Sequence, residues 1–160
     1  LSELKEFDDT PELKEQDNYE TPKAVFDELC KKYNVKPTLD VCADELNTKC
    51  YEWFGIDKCD DALKYNWNFN RDIWCNPPHT KTELFVRKSY REWKEHGNFN
   101  IMMIIPTNTM SSHFWHEYIE GNAEYHAIRG RIRFLQDGKL APHCSRNAYV
   151  CVIWRAIADP

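Results

Sequence analysis

Across residues 22–33 the apolar side chains fall at Val25, Phe26, Leu29, Cys30 and Tyr33. That three-to-four spacing predicts an amphipathic helix over about Pro22–Tyr33. Proline suits the first helical turn, and Lys31 and Lys32 sit in the last turn, where they complement the helix dipole. Pro37 ends this unit. Thr38–Cys42 then reads as a short buried strand, followed by a polar turn and short helix through about Asn47 and by the aromatics Tyr51, Trp53 and Phe54. Asp72–Cys75 reads as another short strand. It stops at Asn76-Pro77-Pro78, because two successive prolines cannot donate ladder hydrogen bonds. From about Lys81 to Glu95, Leu84, Phe85, Tyr90 and Trp93 mark a half-buried helix with Arg87, Arg91 and Lys94 on its outer face.

Asn100–Ile105 is a continuous apolar run of the kind found in a sheet covered on both faces, and Pro106 closes it. Ser111 is placed to cap a helix carrying Phe114, Trp115, Tyr118 and Ile119, which Gly121 would end. Beyond it, Ala123–Ile128, Arg131–Leu135 and Ala148–Trp154 read as three strands, with a turn at Asp137-Gly138 after the second. Strands alternating with helices, then a hairpin-like ending, imply an α/β sandwich with a mainly parallel sheet. Residues 19–160 are expected to form one domain. Residues 1–18, polar and without an apolar period, are expected to form a mobile tail.

Charge changes this picture only when divided by position. The 160 residues carry a formal net charge of −5, which argues against a dedicated nucleic-acid binder. Yet residues 1–20 hold eight acids against Lys5 and Lys14, a local balance of −6, so the remainder carries +1. From Tyr65 onward the balance is +3. The acidity belongs mostly to one end, and the expectation becomes modest, salt-sensitive affinity for nucleic acid.

Seven cysteines do not make a disulfide framework or a zinc site. The number is odd, no CxxC pair occurs, and Cys42, Cys50, Cys59 and Cys75 are eight or more residues apart. The nearest approach to a metal cluster is Cys75 with His79, joined by His143 and Cys144, and no metal is expected. Reduced, mostly buried thiols in an intracellular protein are the expectation. The sequence has no apolar run of membrane-spanning length and no basic-then-apolar leader, so no membrane association is expected either.

Candidate chemistry concentrates in Asn76-Pro77-Pro78-His79. Tandem prolines after a buried strand make a rigid loop, and the asparagine offers a neutral oxygen acceptor beside their carbonyls. Asn76 Oδ1 and the Pro77 carbonyl can together hold both N–H bonds of an exocyclic amino group. Such a clamp favours a pyramidal nitrogen with its lone pair outward, in line with an electrophilic methyl group. The ring of His79 would lie against the flat base. The same tetrapeptide would also serve simply to end a strand, with His79 on the surface.

In this context the sequence resembles the bacteriophage-type Dam-like DNA N6-adenine methyltransferases, within the wider S-adenosylmethionine-dependent amino-methyltransferases. Four segments carry the resemblance in matching order. They are Tyr19-Glu20-Thr21-Pro22; Leu39-Asp40-Val41-Cys42-Ala43 with Asn47-Thr48-Lys49-Cys50; Asp60-Asp61-Ala62-Leu63 with Trp67 and Trp74-Cys75-Asn76-Pro77-Pro78; and Gly130-Arg131-Ile132-Arg133-Phe134 with Ala141-Pro142. The resemblance implies a Rossmann-like methyltransferase fold with antiparallel C-terminal strands, S-adenosylmethionine as methyl donor and DNA as partner, either duplex with base flipping or single-stranded. It also implies an intracellular, cytoplasmic or DNA-associated protein of viral or prophage origin.

By the same resemblance Thr21 would bond the cofactor's carboxylate, with Tyr19 and Pro22 nearby. Asp40 would face its amino group with Cys42 beside it, and Asp61 would lie near the adenosine part. Asn76, Pro77, Pro78 and His79 would form the catalytic loop. Three features depart from the family pattern: His79 stands where an aromatic such as Tyr is usual, the loop after Asp40 lacks glycine, and the ribose-binding acid is open between Glu52 and Asp57.

Lys81 and Arg87, with Lys88 and Arg91, are candidate DNA contacts, as are Arg129, Arg131, Arg133 and Arg146. Three arginines at alternate positions would share one face of a strand. The clamp fits any exocyclic amine on a flat base. N4-cytosine, RNA adenine and protein glutamine methylation therefore stand as alternatives, as does a catalytically silent nucleic-acid-binding module.

Overall fold

Three short strands run side by side in the same direction, and the two at the centre of the sheet are buried on both faces, as parallel strands are. They are β1 (Pro37–Asp40), β3 (Asp72–Cys75) and β4 (Ile101–Pro106), with β2 (Glu52–Trp53) parallel beside β1. The computed structural model describes residues 19–43, 46–55, 62–67 and 70–157. Within these, β5 (Glu124–Ala127) and β8 (Tyr149–Trp154) complete a six-stranded sheet in the order β2-β1-β3-β4-β8-β5. β8 is antiparallel to both of its neighbours. A separate two-residue hairpin joins β6 (Leu135–Gln136) to β7 (Lys139–Leu140). Its turn is made by Asp137 and Gly138 at φ of 51° and 77°, the left-handed backbone that a tight hairpin requires. The expected mainly parallel α/β sheet with antiparallel C-terminal strands is therefore present.

Side-chain alternation divides the core into two layers. On β4, Ile101, Met103 and Ile105 face one side and Met102 and Ile104 the other; on β8, Val150, Val152 and Trp154 oppose Tyr149, Cys151 and Ile153. Helix α2 (Thr82–His96) covers the first side through Phe85 and Val86. Helix α1 (Lys23–Tyr33) covers the second through Phe26 and Leu29, with Phe26 meeting the edge of Trp74 at 4.9 Å. Asn34 ends α1 in the left-handed conformation.

Two expected elements differ. The helix expected after Ser111 is instead a 3-10 turn over Thr107–Ser111 and a wide π-type turn over Trp115–Ile119. Ser112 rather than Ser111 receives a bond from the Trp115 amide. The Trp154 indole takes the Tyr118 carbonyl and Trp115 packs edge-on to Tyr125, contacts that hold the segment in a single wide turn. The strand expected over Arg131–Leu135 shrinks to β6. Ile132 and Phe134 pair their carbonyls with Ser145 and Ala141 of a following loop, not with the sheet, and bury their side chains all the same. Leu46 and Asn47 form a turn, and residues 44–45, where the expected short helix would begin, lie outside the described residues.

Gly55 is required by space. A Cβ there would sit 2.6 Å from the Ala43 carbonyl oxygen, beside the backbone bonds that tie Phe54 to Asp40 and Ala43. Gly55→Ala is expected to cost about 1–3 kcal/mol by forcing this backbone contact apart, read as a lower urea midpoint with unchanged slope.

Candidate active site

The parallel strands deliver their last residues to one edge of the sheet, where open α/β sheets bind ligands. β1 delivers Asp40 and β3 delivers Cys75, followed by Asn76. Because β8 runs the other way, its first residue, Tyr149, lies opposite Pro106 at this same edge.

Asp40 is 2% exposed, and its carboxylate accepts the amides of Cys42 (3.1 Å) and Lys49 (3.0 Å). It thereby folds the loop after β1 back over the strand end. Asn76 donates through Nδ2 to the Tyr19 carbonyl (3.1 Å) and to Thr21 Oγ1 (3.0 Å). Both donors of the amide are thus committed, and Oδ1 is the group it can present elsewhere. Thr21 is buried and does not cap α1, whose N-cap is Pro22. Its hydroxyl accepts from Asn76 and keeps its own hydrogen to donate. Tyr19, Thr21, Asp40, Cys42 and Asn76 line one small cavity of about 20 Å³ with Glu20, Asn47, Lys49 and Trp74. Five sequence-derived candidates from three separate segments therefore meet. Asp61 and Asp57 lie outside the described residues. Glu52, on β2 opposite Leu39, pairs with Arg71 at 2.7 Å, next to the start of β3.

The Pro78 carbonyl is used within the loop, accepting from the Lys81 amide (2.9 Å) and from Thr82 Oγ1 (3.4 Å). His79 opens a 3-10 turn, His79–Lys81, and its Nε2 lies 2.7 Å from the Tyr149 hydroxyl. His79 and Tyr149 line a second cavity of about 260 Å³ with Tyr19, Gln136 and the loop Ala141–Asn147, which includes Arg146. Tyr19 is common to both cavities, stacked on Phe134 at 5.3 Å and edge-on to His79 at 6.5 Å. Sequence reasoning gave no site role to Tyr149, Thr82 or Lys49, and within this loop it named only Arg146 as a candidate contact. The available signal was the direction of β8: read as antiparallel, its leading tyrosine necessarily arrives at the edge where the other strands end.

The cysteines separate by place. Cys42 Sγ and Cys75 Sγ are 3.8 Å apart beside the small cavity, whereas Cys144 is exposed at the larger one. Burial pushes the Cys30 thiol up to about 11 and that of Cys151 to about 12, so both stay protonated at neutral pH. Among the described residues no three His, Cys, Asp or Glu side chains group as a metal site would need, and no helix is long and apolar enough to cross a membrane.

The basic candidates do not form one patch. Lys81 and the half-buried Arg87 lie on the α2 side. Lys88 is consumed by Glu92 at 2.7 Å and by the Trp67 ring at 5.7 Å. Arg129, Arg131 and Arg133 are exposed along a groove beside α1, even though their segment is not a strand. Arg133 Nε also donates to the Ala141 carbonyl (2.9 Å), joining that groove to the loop of the larger cavity.

Two phage proteins are similar to this chain in sequence. A DNA N-6-adenine-methyltransferase of Escherichia phage T1 is 32% identical over 156 residues, covering 86% of this chain and 63% of the relative. A DNA N-6-adenine-methyltransferase of Haemophilus phage HP1 (strain HP1c1) is 27% identical over 125 residues, covering 77% of this chain and 69% of the relative. The chain thus spans 63% and 69% of the lengths of these relatives. Residues 9–160 match the family described as DNA N-6-adenine-methyltransferase (Dam), a match that takes in both cavities and the loops between them, and the chain belongs to that family.

Proposed function

We propose that this chain transfers a methyl group from S-adenosylmethionine to the N6 amino group of adenine in DNA by direct in-line displacement. The observation that carries this reading is the orientation of the Asn76 amide. Its two donors are held by the Tyr19 carbonyl and Thr21 Oγ1, which leaves its oxygen as the group to offer an amine, and Asn76 lines the polar cavity that shares Tyr19 with the aromatic one. That oxygen and the Pro77 carbonyl would together hold both N–H bonds of an exocyclic amine and localise its lone pair, and the proton would leave after transfer.

The small cavity has the donor set for the amino-acid end of the cofactor: a threonine hydroxyl with a hydrogen to give and a buried carboxylate at a strand end. Thr21 would take its carboxylate and Asp40 its ammonium, with Tyr19, Pro22 and Cys42 bordering them. The cofactor would supply an electrophilic methyl group on a sulfonium. At about 20 Å³ the cavity is water-sized, so its walls would have to open on binding. The larger cavity, walled by Tyr19, His79 and Tyr149, suits a flat heteroaromatic ring. A duplex adenine must be extruded to reach it, whereas a single strand enters directly. Arg129, Arg131, Arg133, Arg146, Lys81 and Arg87 would contact phosphate, and the phage relatives support a viral or prophage origin.

A labelled-methyl assay offering duplex DNA, single-stranded DNA, RNA and protein in parallel tests the reading. The expected product is N6-methyladenine recovered from DNA. Label recovered only in protein, or as N4-methylcytosine, overturns it. A silent binding module would show neither transfer nor thermal stabilisation by S-adenosylmethionine, where a binder gains about 2.7 kcal/mol at a hundredfold excess over Kd.

A further inference from the structure

The histidine that departs from the family pattern is not alone at its position. His79 Nε2 meets the Tyr149 hydroxyl at 2.7 Å, and the two rings lie 6.2 Å apart at an interplanar angle of 48°. Tyr149 is 2% exposed and its ring packs on Phe134 at 5.0 Å, so the core fixes where its hydroxyl points. Burial pushes the Tyr149 phenol well above its ordinary value, which keeps it a donor throughout the neutral range.

An imidazole without a partner turns about its Cβ–Cγ bond and gains a proton near neutrality. Neither suits a wall for a flat neutral base, and a cationic ring would add positive charge where a positively charged methyl donor must bind. Among the described residues, the titratable and charged groups around the larger cavity are Tyr19, Tyr149, His143, Cys144 and Arg146, with Lys81 in the same 3-10 turn.

We propose that Tyr149 is a positioning residue: its hydroxyl donates to His79 Nε2 and holds the imidazole neutral, with the proton on Nδ1 and the ring set as one wall of the larger cavity. This rests on the methyl-transfer reading above. In effect two side chains replace the single aromatic usual in this family: the histidine supplies a face, and the buried tyrosine supplies its orientation from β8, two strands along the same sheet edge.

Donation to Nε2 competes with protonation there, so removing the hydroxyl raises the pH at which His79 gains its proton. Tyr149→Phe is therefore expected to lower kcat by about 3- to 10-fold at pH 6.5 and by less at pH 8.5, with KM for S-adenosylmethionine raised at the lower pH and not at the higher. In a His79→Tyr background the same change should have no pH-dependent effect. A loss that is equal at all pH values and in both backgrounds would mean that Tyr149 acts only through packing, and would overturn the proposal. The tautomer can also be read in the unaltered protein from the ring-nitrogen NMR shifts of His79. Protonated Nδ1 with bare Nε2 at pH 7.5 is the expected result; a protonated Nε2 overturns it. Because that measurement needs no turnover, failure of this proposal and failure of the methyl-transfer reading remain distinguishable.

Discussion

Asn76→Ala is expected to lower methyl transfer by at least about 10²- to 10³-fold, the usual consequence of removing one preorganised group at the reacting atom. The alanine cannot supply the amide oxygen, so the amine would keep its lone pair delocalised in the ring. The structure adds a second consequence. The Asn76 amide also donates to the Tyr19 carbonyl and to Thr21 Oγ1, so its removal slackens the segment leading into α1. Cofactor affinity should fall too, by about 5- to 10-fold for one lost hydrogen bond. Single-turnover kinetics at saturating cofactor separate the two effects. A fully active variant refutes the clamp, and a variant whose whole defect disappears at saturating cofactor reduces Asn76 to a brace for Thr21.

Trp74→Ala should produce the largest loss of stability among changes near the site. Trp74 is 1% exposed in the middle of β3, meets Phe26 edge-on and borders the cavity that holds Thr21, Asp40 and Asn76. Large-to-small changes of this kind cost about 3–5 kcal/mol. The void would open beneath α1, so the helix carrying Phe26 and the Tyr19–Pro22 lead-in should loosen together. Denaturant unfolding gives the stability term. Cofactor-induced stabilisation of the variant, compared with the native chain, should shrink; if it is unchanged, the floor of the small cavity is set by the backbone and not by this indole.

The strands and helices were legible where the pattern had one physical cause. Ile101–Ile105 is apolar at every position because both faces are covered, and Val25 to Tyr33 repeat at helical spacing because one face is. The site was legible through order: Thr21, Asp40 and Asn76 stand after or before elements whose ends meet, and they do meet. What was hidden depended on partners far along the chain. Arg131–Phe134 alternates like a strand, yet its backbone partners are Ser145 and Ala141 in a loop whose composition predicts no pairing. Phe114–Ile119 has helical spacing, but a tryptophan 36 residues away claims the Tyr118 carbonyl. Tyr149 looked like a core residue because it is one; only its hydroxyl leaves the core, toward a histidine 70 positions earlier.

The reversal of β8 also divides labour across the molecule. The polar cavity is built on parallel strand ends and on the chain before α1, whereas most of the aromatic cavity comes from residues 136–149, which lead into the reversed strand. Among the described residues only Tyr19 belongs to both. The half that would hold the methyl donor and the half that would receive its acceptor can therefore vary almost separately, so a graft of residues 141–147 from a related enzyme would exchange the acceptor while leaving the donor's walls untouched.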